Sequence, residues 1–172
     1  MPDAVDVRSA ARRSIHLRTV EDIAAELDRI AAAEARGTLT TTGHWTPGEN
    51  LDHVVKFMEM SMDGFPERAP WWVRAIGTVL KPFLFARLHD ANALKPGTID
   101  NRGRADFIEP TPGATSADAI DRGRRMIERL RSGERFEQRS PLFGTVTHEQ
   151  WCLVHASHCN LHWSFLQLGH DA

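Results

Sequence analysis

The chain predicts an all-α fold, a four-helix bundle with a long excursion between helices 2 and 3. Three observations carry this expectation. Four segments repeat apolar residues at helical spacing, each opens on a capping residue, and no strand-like alternation of comparable length occurs. The first helix is read from Val20, Ile23, Ala24, Leu27, Ile30 and Ala31, with Thr19 as N-cap and Gly37 just past its end. The second opens on Thr46-Pro47-Gly48-Glu49, a capping box with proline at the first helical position. It runs through Leu51, Val54, Val55, Met58 and Met62 towards Gly64 and Pro66.

The excursion covers residues 65–114. Its first half, residues 71–88, is apolar enough for a short extra helix interrupted near Pro82, and its second half is rich in proline and glycine. Two adjacent tryptophans, Trp71 and Trp72, make it an expected cover for the bundle and a wall of any site there. The third helix is read from Ile120, Met126, Ile127 and Leu130, capped by Thr115 or Ser116 and stopped by Gly133. The fourth, residues 147–168, opens on the capping-box pattern Thr147-His148-Glu149-Gln150.

A chain of 172 residues fits a single domain, 1–172, with a real hydrophobic core. Its net charge of −2 gives no general attraction to nucleic acid or anionic lipid, so both are excluded as expected partners. Arg122, Arg124, Arg125, Arg129 and Arg131 interleave with acidic residues and read as a solvated helix face. The only cysteines, Cys152 and Cys159, lie two helical turns apart, too far for a disulfide. With no hydrophobic leader and no apolar run free of charges, a cytoplasmic location is expected.

The chemistry concentrates in the fourth helix. At ~100° per residue, with Trp151 at zero, His158 falls near −20°, His162 near +20° and His155 near +40°, inside the apolar stripe. Ala156, Asn160, Ser164 and Gln167 occupy the opposite side. Buried imidazoles need partners, because an unpaired buried polar group costs ~1–3 kcal/mol, and one metal ion would serve several together. His158 and His162 are i,i+4 and can chelate one ion; His155 and His158, at i,i+3, can do the same. His155 and His162 are ~10.5 Å apart along the axis and do not comfortably share one. The plainer reading is a set of core histidines bonded to backbone or water. His53 lies in the apolar arc of the second helix and meets the fourth across the core, with Asn50 one turn before it. Three neutral imidazoles with open positions make a catalytic type of site. Glu49 reads as a capping carboxylate, Cys159 as a small core residue, and His155 and His148 as neighbours of the site that do not ligate.

The pattern Gly43-His44-Trp45-Thr46-Pro47-Gly48-Glu49-Asn50-Leu51-Asp52-His53, followed by His158-x-x-x-His162, resembles the DinB-like (YfiT-like) superfamily of metalloenzymes. The segment 140–151 is similar to an uncharacterised branch of it. The resemblance covers roughly residues 19–64 and 117–168. It implies a bundle with a metal site on His53, His158 and His162, choosing the i,i+4 pair over His155. Characterised relatives include thiol S-transferases that use bacillithiol, mycothiol or glutathione, and a mycothiol-dependent isomerase.

The expected function is therefore a metal-dependent enzyme whose divalent ion activates water or a thiol, of S-transferase or hydrolase type. The ion is zinc, nickel, iron or copper, since imidazole suits all of them, and a low-molecular-weight thiol is the co-substrate of the transferase option. The partner is a small-molecule substrate, with a homodimer left open. The alternative is a non-catalytic helical bundle that binds a small molecule or itself.

Overall fold

The computed structural model describes residues 6–67, 70–88, 94–95 and 106–169. It is mostly helical: α1 (Val20–Ala35), α2 (Pro47–Asp63), α3 (Trp71–Arg87), α4 (Ser116–Arg131) and α5 (His148–Trp163). Two short strands, β1 (Thr40–Thr41) and β2 (Leu166–Gln167), pair antiparallel with Thr40 opposite Gln167.

Local chemistry sets the helix starts. Thr19, Thr46 and Thr147 each accept from the N–H three residues on, and Asp22, Glu49 and Gln150 reach back to the cap backbone. Thr115 caps α4 in the same way, accepting from the Asp118 N–H. Each side chain satisfies an end N–H that the helix cannot, which is worth about 1 kcal/mol per cap.

Helices α1, α2, α4 and α5 close a ring of pairwise contacts, with α4 against α1 and α2, and α5 against both as well. Ile23, Leu27, Ile30, Leu51, Val54, Met58, Met126, Trp151 and Trp163 fill the space between them. Gly123 lets α4 pack closely on α1 and α2, since a Cβ there would stand 2.9 Å from Leu27 Cδ2 and 3.3 Å from Val55 Cγ2.

Several expectations are corrected. The last helix ends at Trp163 instead of continuing to residue 168. The carbonyls freed by that ending are taken by the N-terminal segment: Arg13 donates to Trp163 and Leu166 through its side chain and to Ser164 through its backbone. Thr38 Oγ1 donates to Leu168 O at 2.7 Å. The side of α5 read as polar is also buried. Asn160 accepts from Leu17 N–H at 2.8 Å and donates to Leu17 O at 2.9 Å, so α5 is enclosed nearly all round. Arg122 does not lie on a solvated face; it spans Asp52 and Glu59 of α2, while Arg129 pairs with Asp63 and Arg131 with Glu21.

The excursion differs most. Helix α3 runs unbroken through Pro82, and most of its side chains face solvent, including both tryptophans. Proline removes the bond to the carbonyl one turn back, a loss that water can make good on an exposed helix. Only Phe85 is buried, with Leu88 half-buried beside it. The second half of the excursion falls largely outside the described residues, apart from a 3-10 turn over Asp106–Ile108.

Candidate metal centre

Two helices and one returning loop build the site. His53 comes from the second turn of α2, His158 and His162 from the second half of α5, and their ligand atoms all lie within 4.8 Å of one another. Ring centroids are 4.5 Å apart for His158 and His162, 4.6 Å for His53 and His162, and 4.9 Å for His53 and His158. The three proposed ligands therefore converge. His53 is buried, whereas His158 and His162 keep some exposure, so the cluster is less enclosed than mid-stripe positions imply.

The proton positions follow from the partners. His53 Nδ1 lies 2.6 Å from the Ile108 carbonyl, an acceptor only, so Nδ1 carries the proton and donates it. That leaves the Nε2 lone pair of His53 directed at His158 Nε2, 3.1 Å away. His158 Nδ1 is buried without a partner. Burial pushes His53 down to about 4, with the Ile108 hydrogen bond acting against it. Burial also holds His158 and His162 well below the ordinary histidine value, and the neighbouring imidazoles reinforce it. All three are neutral at pH 7, the form in which imidazole binds a metal.

The loop that holds His53 is fastened from the polar face of α2. Thr111 N–H donates to Asp52 Oδ2 at 2.7 Å, and Lys56 Nζ donates to Glu109 O at 2.8 Å. Asp52 is itself buried between Arg122 and Lys56. Burial pushes its carboxyl up, but the Thr111 N–H and the Arg122 guanidinium outweigh that and hold it below the usual value. The chain of support thus runs from Arg122 through Asp52 and the 108–111 backbone to the ring of His53, the arrangement that fixes a ligand's tautomer and orientation.

Trp45 forms one wall, stacked on His162 at 5.5 Å and tilted against His53 at 4.7 Å. Phe57 lies edge-on to His158 at 5.1 Å. Asn50 Nδ2 donates to the His162 carbonyl at 2.9 Å, tying α2 to α5 at the site. These walls replace the expected one. The described contacts of α3 go elsewhere: Phe85 meets Phe143, Lys81 donates to Thr145 O, and Ser157 donates to Leu88 O. Of the supporting residues, Trp45 and Asp52 stand inside the quoted motif, yet neither spacing nor periodicity marked their roles. Ile108 contributes a carbonyl, which every residue has, so no sequence signal could single it out.

The remaining candidates take structural places. His155 Nε2 lies 2.7 Å from Ser61 Oγ, with its ring between Trp151 at 5.4 Å and Phe136 at 4.5 Å. His148 opens α5, ten residues or ~15 Å along the axis from His158, and so does not neighbour the site. Its Nδ1 accepts from Phe136 N–H at 3.0 Å. Glu49 serves the α2 cap, bonded to Thr46 N–H at 2.9 Å. Both cysteines are free, and burial pushes the Cys159 thiol far up, so it stays protonated.

The molecule is thus a helical protein with a three-histidine cluster suited to a metal ion. The chain belongs to the family described as proteins of unknown function, DUF1569, whose model matches residues 9–168. No curated protein and no solved structure matches it. Among the described residues, no helix is long and apolar enough to cross a membrane.

Proposed function

We propose that this protein is a metal-dependent enzyme in which His53, His158 and His162 hold one divalent ion. The carrying observation is His53, whose Nδ1–H is committed to Ile108 O while Nε2 is left facing His158 Nε2 at 3.1 Å. Two nitrogens on a tetrahedral ion at ~2.0–2.1 Å stand about 3.3 Å apart, so this pair is already close to chelating distance. An ion held there supplies Lewis acidity towards water or a thiol. The chain's own residues do the rest: Ile108 keeps the His53 tautomer, Trp45 shields one side of the cluster, and Asn50 anchors α5 at His162.

In this reading α1, α2, α4 and α5 form a four-helix bundle of the DinB-like (YfiT-like) type. Their ring of contacts and the placement of the ligands on α2 and α5 support it. The reaction class is thiol S-transfer or hydrolysis, with a low-molecular-weight thiol as co-substrate in the first case and the cytoplasm as its compartment. Elemental analysis of protein purified without a histidine tag tests the site, with about one ion per chain expected. Protein that carries no ion and takes up none of zinc, nickel, iron or copper when supplied would overturn the reading.

A further inference from the structure

Helix α3 turns its most apolar side outwards. At ~100° per residue, Trp72, Ile76, Val79, Leu80 and Phe83 fall within one arc of about 100°. Gly77, Lys81, Phe85, Leu88 and Arg74 lie on the opposite side, which rests on the turn around Phe143. A Cβ at Gly77 would come within 2.5 Å of Leu142 O, and Phe85 meets Phe143 at 5.9 Å. Arg74 and Lys81 line the cleft between the helix and that turn. Arg74 and Lys81 therefore face their own chain together with Phe85 and Leu88, while the larger apolar side chains of α3 face water. Exposed apolar patches of this size mark interaction surfaces.

The order of residues says what kind of surface fits. Trp72, Ile76, Val79 and Phe83 are spaced four, three and four apart, the seam of a helix that packs against another helix. The seam is also self-complementary. Antiparallel pairing of two copies sets Trp72 against Phe83 of the second copy and Ile76 against its Val79, so each seam residue meets a seam residue. Cations do not oppose this pairing across the seam, because Arg74 and Lys81 point to the cleft and Arg87 sits at the helix end. Aromatic side chains carry about 150–250 Å² each, and Trp72 and Phe83 are 55% and 71% exposed. With Ile76, Val79 and Leu80 about half exposed or more, one copy offers on the order of 600 Å², the lower end of what each partner buries in a specific interface.

We propose that α3 is the dimerisation surface of this protein, pairing antiparallel with α3 of a second copy about a two-fold axis between Ile76 and Val79. Sedimentation of the full chain should give about 39 kDa, twice the 19.3 kDa of one chain. Val79→Glu places a charge in the seam and, at an exposed position, leaves the single chain folded by circular dichroism. It should weaken association by more than about 100-fold at concentrations near 1–100 μM. Arg74→Glu, on the cleft side, should leave the dimer intact. A wild-type chain that stays monomeric at about 100 μM overturns the proposal, as does a Val79→Glu dimer as tight as wild type. Equal loss in the Arg74→Glu chain overturns it too. A monomer that pellets with vesicles of anionic phospholipid, but not with zwitterionic ones, overturns it in favour of a lipid surface.

Discussion

His155 and His158 are one turn apart on α5, share one stripe and touch the same Phe57 ring at 5.4 and 5.1 Å, yet they occupy different chemical worlds. His155 is fully buried among Trp151, Phe136 and Phe57, and its Nε2 is met by the hydroxyl of Ser61. His158 faces two other imidazoles, and in both His155 and His158 Nδ1 is buried without a partner. The first environment meets the Nε2 of a lone histidine with a hydroxyl, whereas the second gathers ring nitrogens of three imidazoles within 4.8 Å of one another. A histidine's position on a helix thus says that it faces the bundle, and the residue across the core says what it does there.

Replacing each in turn should separate the two roles most sharply. His158→Ala removes one of three ligands and should lower metal affinity by more than the ~10–100-fold typical of losing a mere supporting contact. His155→Ala should leave metal content near wild type and instead cost about 3 kcal/mol of stability, through the cavity left among the aromatic rings. Elemental analysis and urea unfolding of both variants give the comparison. Equal metal loss in the two would erase the distinction between the two histidines.

Acid acts on both environments in the metal-free protein. Burial lowers His53 from 6.5 to about 4 and His155 from 6.5 to about 3, so the folded chain binds fewer protons than the unfolded one in between. Stability is then complete above about pH 6.5 and declines as pH falls through that window, by roughly 2 kcal/mol for each group at pH 5. Urea unfolding at pH 7.5 and pH 5 measures the decline, and the His155→Ala chain should lose its own part while keeping that of His53, His158 and His162. The smallest effect is expected from Ser61→Ala. It strands His155 Nε2 at a cost of about 1–3 kcal/mol, with metal content unchanged; a loss of bound ion there would join the two environments after all.

Much of the fold was legible because its signals are local. Thr19, Thr46 and Thr147 cap the helices they were expected to cap, and periodicity alone marked His53 as buried, while His158 and His162, read as buried too, keep some exposure. The excursion was read less well. Its tryptophans suggested a cover over the site, but the segment that reaches His53 is the returning backbone at Ile108, and α3 turns its tryptophans to solvent.

By itself, then, the sequence determined which segments are helical, where they begin and which faces carry imidazole, since a cap or an i,i+4 pair is settled within a few residues. Only the tertiary structure decided where α5 stops, which histidines meet and what holds them. Those outcomes depend on Arg13 reaching the end of α5, Ile108 reaching His53 and Ser61 reaching His155. Each of these contacts joins residues 55 or more positions apart, and a hydrogen bond across such a distance exists only once the helices have packed.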